Sequence, residues 1–139
     1  DQEFRGTFEK FRSLPDWKKG FLEHVIACDL EDQERHEQYH VAVLGTPRNV
    51  LGAREESLAR LYSLAHSRTP YFNLFISHRL LSTDVRTSPT YGASGFLFEK
   101  IGQAARERKL ITGDDGFHKL SGEDIRAMAG EIFEREYTR

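Results

Sequence analysis

Residues 24–45, HVIACDLEDQERHEQYHVAVLG, admit two readings, and the fold class turns on the choice between them. The apolar positions Trp17, Phe21, Val25 and Cys28 lead into this stretch at helical spacing. From Asp29 to His40 almost every residue is polar. Gly45 followed by Pro47 is a helix stop, so one long helix from about Asp16 to Leu44 accounts for the whole segment. The rival is a break near Asp32 followed by a strand over 39–44, where two valines favour extended structure. The helical reading is taken, and with it a mainly α fold.

The flanking sequence agrees. Phe4, Phe8 and Phe11 fall on one face of a first helix, and the Ser13-Leu-Pro-Asp16 string predicts a capped start for the second. After a connection at 46–53, Leu58, Leu61, Tyr62 and Ala65 mark a compact helix with Glu55 and Glu56 near its positive end. Thr69-Pro70 opens another, with Phe72, Phe75, Ile76 and Leu80 inward; a strand over 71–77 is the alternative. Residues 82–95 are rich in Ser, Thr, Gly and Pro and predict the longest loop. Ser94 is then expected to cap a helix carrying Leu97, Phe98, Ile101 and Ala105 and ending near Lys109. A turn at 112–116 precedes the clearest capping box, Ser121-Gly-Glu-Asp124, followed by Ile125, Met128, Ala129, Ile132 and Phe133. The expectation is a single helical domain over 1–139, with five or six helices. An α+β domain with one or two short strands at 39–44 and 71–77 is the alternative.

Composition narrows the function. A chain of 139 residues buries roughly two-thirds of its unfolded surface, and 38% hydrophobic residues are too many for a disordered segment. The single cysteine, Cys28, excludes an intrachain disulfide, and no apolar run is long enough to cross a bilayer. The N-terminal Asp-Gln-Glu-Phe is not a signal peptide, so a soluble, intracellular protein with no membrane partner is expected. A net charge of -2 excludes a surface built throughout to hold nucleic acid.

Chemistry concentrates in His36-Glu37-Gln38-Tyr39-His40, which satisfies H-E-x-x-H. Two histidines one helical turn apart can share a zinc ion, with Glu37 beside it as the base that activates water. A third ligand is required, and His24, His66, His78, His118 or a carboxylate is available. The charged neighbours Glu31, Asp32, Glu34 and Arg35 make the stretch read as a solvated face. No cofactor is therefore expected, zinc being the alternative. Glu37-x-x-His40 also fits a carboxylate-bridged di-iron pattern, but the second Glu-x-x-His which that centre needs is missing. Cys28 on an apolar stripe reads as a core residue rather than a nucleophile.

Two binding surfaces remain. Gly92-Ala-Ser94-Gly95 ahead of a helix, with Arg86 nearby, suggests a small anion site built on free backbone N–H groups. Lys100, Arg106, Arg108 and Lys109 make one helix basic. The following piece, from Lys109 to Ile125, faintly resembles the wing and next helix of MerR-type regulators; no counterpart of that family's recognition helix lies upstream. In the absence of a full catalytic set, the leading expectation is a protein-interaction or regulatory helical module, or a subunit of a larger assembly, with a protein partner. Its expected surfaces are residues 29–40 and 82–95. The alternatives are a zinc-dependent hydrolase through HEQYH and a nucleic-acid-binding domain through helix 100–109.

Overall fold

The computed structural model describes residues 2–44, 53–74, 89–113 and 116–138, and the regular elements among them are helices, with no strand. The elements are α1 (Gln2–Arg12), α2 (Trp17–Tyr39), a π-helix (His40–Leu44), α3 (Ala53–Ala65), α4 (Pro89–Glu107), a 3₁₀ turn (Phe117–Lys119) and α5 (Gly122–Tyr137). Residues 70–74 form a further helical segment that opens at Pro70. The mainly α reading therefore stands. The rival strand at 39–44 is helical, and so are 71–74 of the second; Phe75, Ile76 and Leu80 lie outside the described residues.

α3 is the central element, packed against α2, α4 and α5. Its Leu61 and Leu64 join Leu97 and Ile101 of α4 and Met128 and Ile132 of α5 in one buried cluster. A second cluster, Tyr39 with Leu58 and Ala59, is covered by Tyr62 and Phe133 and seats the end of α2 on α3 and α5. Ser121 caps α5 as its sequence dictates, its hydroxyl accepting from the Asp124 N–H at 3.0 Å. α4 ends in a 6→1 and 5→2 pair of bonds, Leu110 N–H to Ala105 O and Lys109 N–H to Arg106 O, with Lys109 in the left-handed region at φ 58°.

Two helix starts differ from expectation. Ser13 does not cap α2; its hydroxyl donates back to Lys10 O at 3.0 Å, and the N-cap position is Asp16, at φ 53°. Pro15 separates Ser13 from α2 and leaves the serine with the last turn of α1. α4 begins at Pro89, well before Ser94. Proline at the first helical position has its φ preset and has no N–H to strand, so the Ser/Gly-rich run continues a helix instead of preceding one.

α1 and the first half of α2 form a hairpin set apart from the core. Phe8 meets Trp17 and Phe21 edge-on at 5.4 and 5.6 Å between ring centroids, and Phe11 meets Phe21 at 6.0 Å. Phe21 touches Phe72 at 6.3 Å. No described side chain before Cys28 is buried. Leu97→Ala, in the fully buried cluster, is expected to lower unfolding free energy by about 2–5 kcal/mol, read by chemical denaturation.

Candidate metal centre

α2 places Cys28, Asp32, His36 and Tyr39 on its buried face, and His40 follows as the first residue of the π-helix. The spacing is helical, but the stripe is polar. The expected solvated face is thus only half right: Glu34, Glu37 and Gln38 are exposed, while Asp32, His36 and His40 are 6%, 6% and 1% exposed. The reason is α3 and the turn that follows it, which run antiparallel to α2 and supply polar partners in register. Ser67 Oγ donates to Asp32 Oδ2 at 2.9 Å, and Ser63 Oγ donates to the Asp32 carbonyl at 2.8 Å. Further along the pair, Glu56 faces both histidines.

The three donor atoms converge. His40 Nε2 lies 3.2 Å from His36 Nε2 and 3.0 Å from Glu56 Oε1. His36 Nε2 lies 3.4 Å from Glu56 Oε1 and 3.3 Å from Oε2. His36, His40 and Glu56 are all buried, and they form the one group of three or more metal-capable side chains among the described residues. Two neutral imidazoles donating from Nε2, His40 to Glu56 Oε1 and His36 to Oε2, are one arrangement of this triangle, with the two nitrogens 3.2 Å apart. A divalent cation at the centre satisfies all three. Donors at 2.0–2.1 Å around tetrahedral zinc stand about 3.3 Å from one another, which matches the spacings found.

Electrostatics favour ligation as well. Burial, and then the neighbouring His36, hold the His40 imidazole below its ordinary pKa and so in the neutral form that binds metal. His40 Nδ1 is buried with no hydrogen-bond partner, in whichever tautomer. A buried polar atom left this way costs about 1–3 kcal/mol; it is the ring nitrogen turned away from the cluster, where a metal-bound histidine ordinarily donates to an acceptor. Arg60 lies beside the group, its Nε 3.9 Å from Glu56 Oε2.

The residues singled out in the sequence divide as follows. His36 and His40 are together and inward. Glu37 lies on the exposed side of α2, close enough for its charge to act on His40. The carboxylate of the cluster is Glu56, which sequence reading placed only as a helix-start residue. Its position at the fourth residue of an antiparallel helix was the available signal, since that turn returns to the end of α2. Ser94 is fully buried in α4, so its hydroxyl does not cap the helix, and the N–H groups at 94 and 95 sit inside the helix rather than free at its start. That removes the expected anion cradle. Arg86 lies outside the described residues. Arg106, Arg108 and Lys109 are exposed at the end of α4; Arg108 pairs with Glu131 and Arg106 donates to the Gly113 carbonyl at 3.2 Å. His24 sits 3.7 Å from Cys28 Sγ and 5.1 Å, ring to ring, from Phe11, away from the cluster. No helix among the described residues is long and apolar enough to cross a membrane. No protein-family model, curated protein or solved structure matches the chain.

Glu31 and Asp32, adjacent in sequence, are driven in opposite directions. The Arg68 and Arg35 guanidinium groups bond to Glu31 and hold it at about 2, whereas burial raises Asp32 to about 6 despite its bonds from Ser67 and Arg35. For an acid raised on folding, the stabilising contribution is full below the unfolded value of 3.8 and is lost as pH rises through about 6. Glu31 acts the other way, and its contribution fades only as pH falls from 4.5 towards 2. Across the Asp32 window Asp32→Asn is expected to remove a decline in melting temperature that the parent shows from pH 4 to pH 6, with chelator present throughout. Parallel curves would show that Asp32 does not retain its proton.

Proposed function

We propose that this chain is a metal-dependent hydrolase whose zinc ion is held by His36, His40 and Glu56. The observation that carries the reading is the buried convergence of two imidazole nitrogens and a carboxylate oxygen at 3.0–3.4 Å. Two histidines and one glutamate form a donor set of catalytic zinc sites, which keep the fourth position for water. A zinc ion held by these three residues would supply Lewis-acid activation of water at neutral pH. The H-E-x-x-H pattern assigns the water proton to Glu37, which lies on the exposed side of α2 and would have to turn towards the buried donors to take it. Protein binding, the leading reading of the sequence, draws support from a separate feature, the exposed apolar row on α2. The nucleic-acid reading has no comparable observation behind it.

Elemental mass spectrometry of the purified, untagged protein tests the centre. About one zinc per chain is expected, and Glu56→Ala and His36→Ala/His40→Ala are each expected to lose it while keeping their helical circular dichroism. Zinc retained in Glu56→Ala would remove Glu56 from the ligand set. Hydrolysis of a chromogenic ester is expected to fall about 10²–10⁴-fold in Glu37→Gln with zinc content unchanged, the range general-base catalysis contributes. An ester rate equal to the parent's would end the base assignment and leave the metal site standing.

A further inference from the structure

Arg60 follows Glu56 by one turn on α3, so the two side chains leave the same face of the helix. The Arg60 side chain is 13% exposed and that of Glu56 2%, which sets a fixed positive charge against the buried donors. Its Nε stands 3.9 Å from Glu56 Oε2. The two oxygens of Glu56 therefore have different surroundings. Oε1 faces both imidazoles, 3.0 Å from His40 Nε2 and 3.4 Å from His36 Nε2. Oε2 is shared between His36 Nε2, at 3.3 Å, and the guanidinium. A guanidinium is always charged, so this pull on Oε2 is permanent.

Two neutral imidazoles and one carboxylate offer a divalent ion a single negative charge, and Arg60 cancels it. A site that served only to hold its ion tightly gains nothing from such a neighbour. We propose that Arg60 is a positioning residue that keeps the centre open. It holds Oε2 back, leaves Oε1 as the one ligand oxygen, and lowers metal affinity in doing so. This role rests on the zinc-centre reading given above. Catalytic zinc sites have three protein ligands and keep a fourth position for water. A carboxylate that closed on the ion with both oxygens would take up that position. Arg60 prevents this through Glu56 alone.

Cobalt(II) substitution and zinc competition against a chromophoric chelator test the role, with helical circular dichroism checked in each variant. The parent's cobalt form is expected to show the strong visible absorption of four-coordinate cobalt. Arg60→Gln is expected to weaken that band, as Oε2 closes on the ion. It is also expected to bind zinc about tenfold more tightly, the scale of the repulsion between a divalent ion and a neighbouring guanidinium at the dielectric of water. Arg60→Lys keeps the charge and is expected to restore the parent's band and affinity. Loss of a merely structural residue loosens a site, so weaker zinc binding by folded Arg60→Gln overturns the proposal. An unchanged band and affinity in Arg60→Gln, or a lysine variant that behaves like the glutamine one, overturns it as well. Weak, five-coordinate absorption in the parent overturns it without any variant. A parent that takes up neither cobalt nor zinc overturns the metal centre itself, and this role with it.

Discussion

The polar seam between α2 and α3 is the constraint on which the rest of the structure depends. Helices normally dock through apolar ridges, which tolerate small slips because any close-packed methyl group serves nearly as well as another. Here the facing groups are Asp32, His36 and His40 on one side and Glu56, Ser63 and Ser67 on the other. Each needs a particular partner, and a displacement of one turn would strand several buried polar atoms at about 1–3 kcal/mol apiece. The seam therefore fixes the register of α2 on α3. The Tyr39–Leu58–Ala59 contact closes its upper end, and the Glu31–Arg68 ion pair, 2.6 Å between Nη2 and Oε2, closes the lower. With α3 so placed, its remaining surface presents Leu61 and Leu64 to α4 and α5.

Much of this was legible in the chain. The apolar spacing of α5 and its capping box specify that helix outright, because local preference, burial and cap all agree there. α2 was legible as a helix through the aromatic spacing at Trp17 and Phe21, while the expected stop at Gly45 lies outside the described residues. Its buried face was not. Periodicity is read from apolar residues, and the inward positions Asp32, His36 and His40 carry none of that signal. A search for polar residues at helical spacing would have found them. The third member of the cluster was hidden for a different reason: Glu56 joins His36 only through tertiary pairing, which one sequence does not disclose. The start of α4 was missed because Ser and Gly were weighed above Pro89, although a proline sits well in a first turn.

The π-helix at His40–Leu44 belongs to the same logic. It sits where α2 leaves the seam, and its widened turn begins at a ligand-type residue. Wide turns of this kind occur chiefly at functional sites, where one side chain has to be set apart from the regular ladder. A cation bound there would tie the last turn of α2 to the first of α3. It would so restrict the ends of the connection between them, coupling metal affinity to folding.

α2 spans 23 residues, about 35 Å, and belongs to two bodies at once. Its second half is locked into the seam, while its first half is shared with α1 in an aromatic hairpin that contains no buried side chain among those described. A single helix thus crosses a gradient of protection. On that gradient, amide hydrogens near Trp17 are expected to exchange through fraying of the hairpin, and those near His36 only when the core opens. Burial of this kind sets the boundary between the two near Cys28, where the helix turns from half-covered to enclosed.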